Sequence, residues 1–278
     1  KIIVVDDCST MIMPHEVSSL IKKNKNIKYI QHNKNMGLSV ARNTAIRACS
    51  TELFSFCDDD DRWKPKTAFN LISTIKYSEF NNIGIVLPVK FKNYGKYYFD
   101  QKPTLRDVIK LGVTPPVAGQ IYRSRMIKEC GGYCEKIKSG VDHDLWVTLS
   151  KNNPNVSVVW ADDIVVGSNP NAKRITTQKN KRRIEIMNSL EIWKDKIIDI
   201  YGIGFYEHFK SSYIEYLSLT FFMMSLRKGD IKSALIYLFE NNVSTNFLKK
   251  IMNRNKFHVL KPYEHKGSIS RLRKHELV

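Results

Sequence analysis

The chain's 278 residues, 42% of them hydrophobic, suffice for one substantial core plus a smaller appendage. No apolar run approaches the roughly 18 residues of a membrane span and no signal peptide opens the chain, so no bilayer-spanning helix is expected. A formal net charge of +18 asks for an anionic partner, whether nucleic acid, an anionic membrane surface or a phosphorylated substrate, and says little about fold. The cysteines (Cys8, Cys49, Cys57, Cys130 and Cys134) are odd in number and scattered, as in a reducing cytosol. Cys130 and Cys134 lack the second Cys/His pair of a metal site and read as buried thiols.

Lys1 opens the chain directly inside a strand, so a further strand is expected ahead of it. The β-branched run 2–5 ends in Asp6, Asp7, Cys8, Ser9 and Thr10, the pattern of a strand buried on both faces with carboxylates at its carboxyl end. Carboxylates placed there reach the crevice where open α/β sheets bind ligands. Capping of the next helix by Asp6, Asp7, Ser9 or Thr10 accounts for them equally well. Val17, Leu20 and Ile21 mark that helix, and Ile27–Gln31 reads as a second strand. A turn at Asn35 and Gly37 then opens a helix striped with Leu38, Ala41, Ala45, Ile46 and Cys49, ending near Ser50. Arg42 lies one turn into it, near the positive end, a place that suits an arginine only if it meets an anion.

The short apolar run 53–57 ends in four consecutive carboxylates, Asp58, Asp59, Asp60 and Asp61, followed by Arg62 and Trp63. Four like charges gain nothing by burial without a counterion. A divalent cation changes the balance, because oxygen donors at a strand end suit magnesium or manganese. A solvated acidic turn is the bland alternative.

Three motifs in order, Val-Val-Asp-Asp-Cys-Ser-Thr at 4–10, Asn-Met-Gly-Leu-Ser-Val-Ala-Arg-Asn at 35–43 and Phe-Cys-Asp-Asp-Asp-Asp-Arg-Trp at 56–63, resemble the inverting family 2 glycosyltransferases. The resemblance implies a GT-A fold, an α/β domain with a Rossmann-like, mostly parallel central sheet, and a nucleotide-diphosphate sugar as donor. It implies roles as well. Asp6 and Asp7 contact the uracil or ribose, and Arg42 lies near the nucleotide. Asp58 and Asp59 lie by the ribose and sugar. Asp60, with Asp58 as the other outer residue of an Asp-x-Asp motif, holds the metal that bridges the diphosphate. That metal, Mn2+ or Mg2+, neutralises charge on the departing diphosphate. The family's first strand, with its Pro-x-Tyr/Phe-Asn turn, has no counterpart in these residues.

Beyond Trp63, Pro65 opens a helix over 66–78, and 83–89 reads as a strand. Residues 91–99 read as a strand or hairpin and 105–111 as a short helix, while 120–123 lead into a strand before the turn at Gly131 and Gly132. Gly131-Gly132-Tyr133-Cys134-Glu135 is similar to the family's Gly-Gly-Phe-Asp-Glu turn beside the acceptor site. Val141-Asp142-His143-Asp144-Leu145-Trp146 is similar to its Glu-Asp-x-x-Leu-Trp helix start, with Val141 where Glu is usual. The resemblance makes Asp142 the general base that takes the proton of the attacking hydroxyl. His143 reads as a surface residue and Asp144 as a helix cap. Residues 155–160 read as a strand, and 162–168 continue into a loop. The family's corresponding loop closes over the donor diphosphate, and Lys173 and Arg174 carry the charge for it; a solvated basic loop explains them equally.

From residue 178 helical spacing takes over, first in Ile186, Leu190, Trp193 and Ile197, then in Phe205, Phe209, Tyr213, Tyr216 and Leu217. Gly229-Asp230 breaks the chain before a helix over Ile231–Phe239, and Ser244 or Thr245 caps a last one. The chain thus divides into a catalytic domain, 1–177, and a helical appendage, 178–278. The appendage's tail is basic and interleaved with Phe247, Ile251, Met252 and Phe257, which suits anionic lipid; a bundle with solvated lysines fits it too.

The expected activity is metal-dependent, inverting transfer from a UDP-sugar donor to a hydroxyl. The acceptor is a glycan or a polyprenyl-diphosphate-linked glycan of bacterial surface polysaccharide, met by a cytoplasmic protein at the inner membrane face. A nucleotidyltransferase shares the architecture and the acidic site but announces itself by a Gly-rich loop not seen here. A nucleic-acid binder would use the charge, yet no binding motif occurs and the acidic run repels phosphate, so no nucleic acid is expected.

Overall fold

The computed structural model describes residues 1–59, 61–63, 83–91, 95–96, 117, 120–153, 157–168, 179–226 and 229–239. Its strands are β1 (Ile2–Asp6), β2 (Ile27–Gln31), β3 (Leu53–Ser55), β4 (Asp61–Trp63), β5 (Ile83–Phe91), β6 (Gly95–Lys96), β7 (Ile121–Arg123) and β8 (Ser157–Ser168). Its helices are α1 (His15–Lys23), α2 (Leu38–Ala48), α3 (Ser124–Glu129), α4 (Val141–Asn152), α5 (Lys179–Tyr201), α6 (Ile203–Leu226) and α7 (Ile231–Phe239). No described helix is long and apolar enough to cross a membrane. The expected helices at 66–78 and 105–111, the last helix after 244 and the basic tail lie outside the described residues.

Strands β1 and β2, joined through α1, pair in parallel with Asp6 opposite Gln31, so both strands release their loops on the same side. The remaining described strands follow the order β3-β7-β5-β8-β4, with β6 folded back on β5 as the expected hairpin. Strands β5 and β8 run parallel over a long register, while the other pairings of that sheet are antiparallel. One of two register shifts along β5 falls beside Pro88, which has no amide hydrogen to give to the ladder.

Two segments differ from their sequence reading for a pairing reason. Residues 124–129 form helix α3 instead of a strand: the ladder with β3 runs to Leu53 opposite Arg123 and one further bond from the Ser124 amide to Glu52 O, where the helix begins. Strand β8 starts at Ser157 and runs on to Ser168, well past the 155–160 read as a strand, because Val166, Gly167 and Ser168 pair with β4.

One apolar cluster takes Ile46 from α2, Tyr122 from β7, Met126 and Ile127 from α3, and Val141, Leu145, Trp146 and Leu149 from α4. Leu190, Trp193 and Ile197 of α5 and Phe205, Tyr206 and Phe209 of α6 belong to the same cluster. Helix α4 is buried on most of its circumference, as befits a helix enclosed between layers.

Candidate active site

Four segments converge at the carboxyl ends of β1 and β3. The first is the turn after β1, where Asp6 Oδ1 accepts the Ser9 amide at 2.8 Å and Oδ2 accepts the Tyr29 hydroxyl at 2.6 Å and the Gln31 amide at 3.3 Å. The Ser9 hydrogen bond, then that from Tyr29, holds the Asp6 carboxyl below its usual range, and Asp6 in turn pushes Tyr29 up to about 12. Asp7 is used differently. Its Oδ1 accepts the Met36 amide and meets His32 Nδ1, each at 2.8 Å, and its Oδ2 accepts the Gly37 amide at 2.6 Å. Burial pushes this carboxyl up, but the hydrogen bonds from His32, Met36 and Gly37 outweigh it and leave Asp7 below its usual range. His32 Nε2 reaches Thr44 Oγ1 at 3.0 Å, so Asp7 and His32 tie the β1 turn to α2. Neither carboxylate caps α1, which starts after Pro14 with no side-chain cap.

Asp7 thereby seats Gly37, the N-cap of α2, at a φ of 94°, a conformation glycine adopts without strain. One turn on, Arg42 is only 5% exposed. Its Nη1 donates to Asp142 Oδ1 at 2.5 Å, and its Nη2 donates to Asp58 Oδ1 and Oδ2 at 3.0 and 3.1 Å. The guanidinium lies 5.6 Å from the Phe56 ring centroid and 5.4 Å from that of Tyr133. Burial works against its charge, but Asp142, Tyr133 and Asp58 overcome this and raise its pKa, so it stays cationic at every pH. The anion that the sequence asked of Arg42 is thus supplied inside the protein, twice.

Asp58 follows β3 and the adjoining Phe56, and Asp59 beside it is exposed. Asp60 lies outside the described residues, and Asp61 begins β4. Among the described residues no three His, Cys, Asp or Glu groups converge as a metal cage. The donor chemistry nevertheless fits a hard divalent cation, since the run offers carboxylate oxygens, which such ions prefer to imidazole or thiolate. Lys173 and Arg174 lie outside the described residues.

Asp142 stands in the first turn of α4, whose N-cap Gly140 is left-handed at φ 79°. A Cβ at Gly140 would come within 2.8 Å of Trp193 Cη2, so only glycine lets α5 close on this turn. The Asp142 side chain is 35% exposed. Its protein-crowded setting raises its pKa by burial, Arg42 pulls it down, and the charge of Asp58 adds to the rise, leaving it above the usual carboxylate range.

Two neighbours of Asp142 differ from their sequence reading. His143 is 7% exposed rather than on the surface, stacked on Phe209 at 5.5 Å and tilted against Trp193 at 4.8 Å, and burial pushes it down to about 4. Asp144 does not cap α4. It is fully buried, accepting the Cys134 amide at 3.2 Å and pairing with Lys196 of α5 at 2.7 Å.

Sequence reasoning overlooked Asn43, Phe56 and Tyr133. Asn43 donates to Tyr133 O and Glu135 Oε1, both at 2.9 Å, and accepts the Tyr133 amide at 2.8 Å, which fastens the 131–135 turn to α2. Its place beside Arg42 in the second motif was the available signal. Phe56 opens the third motif and Tyr133 lies in the 131–135 turn, but neither position signalled a contact with Arg42.

The family model described as Glycosyl transferase family 2 matches residues 1–131. An uncharacterized glycosyltransferase of Rickettsia felis is 29% identical over 163 residues, 55% of this chain and 26% of that protein, so the chain spans about a quarter of this relative's length. The crystal structure of S. aureus TarS 1–349 in complex with UDP aligns with a TM-score of 0.50 at 18% identity, over 89% of this chain and 82% of that one. The mannosyltransferase PcManGT from Pyrobaculum calidifontis, in complex with GDP-Man and Mn2+, aligns with a TM-score of 0.50 at 15% identity, over 90% of this chain and 76% of that one. At these identities the two structures show the fold, which is GT-A.

Proposed function

We propose, on the match of residues 1–131 to the family model described as Glycosyl transferase family 2, that this chain moves a sugar from a nucleotide-diphosphate donor to an acceptor hydroxyl with inversion. The observation that carries this reading is the convergence of Asp58, from the acidic run, and Asp142, from α4, on the guanidinium of Arg42. One carboxylate on the donor side and one free to take a proton are what direct displacement at an anomeric carbon requires.

In the reaction we infer, the acceptor oxygen attacks the anomeric carbon as the bond from that carbon to the diphosphate oxygen breaks. The proton of the hydroxyl passes to Asp142, and the electron pair leaves with the nucleotide diphosphate. Asp6, Asp7, Asp58 and Asp59 form the donor side, with Arg42 anchoring Asp58 and Lys173 and Arg174 in the loop that closes over the diphosphate. Asp58 and Asp60 would hold a divalent cation, which supplies charge neutralisation at the departing diphosphate. A UDP donor is the first choice, on the family resemblance and on the UDP bound to TarS; the GDP-Man bound to PcManGT keeps a guanosine donor in the screen. A lipid-diphosphate-linked glycan at an anionic membrane surface is the proposed acceptor, on the strength of the +18 charge.

The test is a screen of UDP-, GDP- and dTDP-sugars for binding and hydrolysis with and without manganese. One donor should bind only with metal, Asp60→Ala should abolish that binding, and Asp142→Asn should keep it while losing turnover. Absence of binding under every metal condition would leave the acidic run a solvated turn.

A further inference from the structure

Arg42 stands at a junction that a nucleotide contact does not require. Its Nη1 and Nη2 donate to protein carboxylates 100 and 16 residues away, and the Phe56 and Tyr133 rings both pack against its guanidinium. Its Nε is buried without a hydrogen-bond partner among the described residues, so the fork is held by its two terminal nitrogens alone.

Resting on the sugar-transfer reading, we propose that Arg42 is a positioning residue whose single guanidinium fixes the base Asp142 and the donor-side carboxylate Asp58 relative to each other. The planar fork explains why an arginine stands here. A lysine ammonium is a single point charge and cannot set one nitrogen on Asp58 and a second, held rigidly in the same plane, on Asp142. Without the cation, two like-charged carboxylates would face each other and separate. Asp142 would then leave the line on which it meets the acceptor hydroxyl, and a misplacement of about 1 Å lowers turnover about 10²-fold.

The experiment uses the full chain, a UDP-sugar panel with manganese and water as acceptor for turnover, and UDP with manganese in calorimetry for affinity. Arg42→Lys should lower kcat about 10²-fold while donor KM and UDP affinity stay within about threefold. The double variant Arg42→Lys/Asp142→Asn should be no slower than Asp142→Asn, because the arginine acts through the base. Guanidinium ion should restore part of the turnover of Arg42→Ala. Weakened UDP affinity with kcat intact would overturn the proposal and make Arg42 a nucleotide contact. Additive losses in the double variant would overturn it too. Should the melting temperature of Arg42→Ala collapse, guanidinium that rescues the melt without rescuing turnover also counts against it. A wild-type chain that turns over no nucleotide sugar sinks the sugar-transfer reading itself and the positioning role with it.

Discussion

At Asp142 two opposing influences set the pH at which transfer starts. Burial raises the carboxyl, Arg42 lowers it, and the balance lies above the usual range. The proposed base works only when ionised, so activity should fall as pH drops through a value higher than that of a free aspartate, seen as an acid limb in kcat against pH. Asp142→Asn should remove about 10²- to 10⁴-fold of kcat and leave UDP affinity unchanged in calorimetry. His143, pushed down to about 4 by burial, packs on Phe209 and Trp193 and has no part in the proposed proton transfer. His143→Ala should therefore lower stability by about 2 kcal/mol in urea unfolding without moving the acid limb. Asp7 gives the opposite sign in stability. Its folded pKa lies below that of an ordinary aspartate, so its contribution is present above the ordinary value and is lost as pH falls through the folded one. Asp7→Asn should melt below wild type at neutral pH, with the gap closing under acid; a gap that persists would place the effect in packing.

The elements that hold this site were unevenly legible in sequence. Strand β2 and helix α7 have the bounds read from the sequence, and α2 starts where its Gly37 turn places it, because strand pattern, helical stripe and breaker glycine are local signals. The triad around Arg42 was half legible. Its residues fall in motifs, but their mutual contacts span up to 100 positions and no spacing rule predicts them. His143 and Asp144 were misread for the same reason, since Trp193, Phe209 and Lys196 arrive from α5 and α6. The Asp144–Lys196 pair ties α5 to the helix carrying Asp142, with Lys196 also donating to Thr148 Oγ1 at 2.9 Å. Lys196→Met strands a buried carboxylate and should lower stability by about 3–5 kcal/mol in denaturant melts. Adding Asp144→Leu should recover part of the loss, because the unpaired charge is then gone. A double variant as unstable as the sum of both would show that the pair does not act as a unit.

Over the whole molecule, the buried cluster runs without interruption from Ile46 of α2 to Phe209 of α6. Trp193 is fully buried, with its ring against Gly140, beside the turn that presents Asp142. Burying about 200 Å² of such a side chain contributes on the order of 5 kcal/mol, comparable with the whole net stability of many domains. A chain ended at residue 177 would lose Leu190, Trp193, Ile197, Phe205, Tyr206 and Phe209 together and leave Leu145 and Trp146 facing water. It should show no cooperative transition in calorimetry. A chain ended at 239 keeps every residue of that cluster and removes only the segment whose basic, aromatic-studded sequence suggested lipid binding. This second truncation should therefore melt like the full chain and keep donor turnover, while losing flotation with vesicles containing anionic lipid. If it floats as well as the full chain, attraction to the membrane comes from the rest of the +18 surface. If it no longer melts cooperatively, the tail belongs to the core, and flotation says nothing about a separate lipid-binding element.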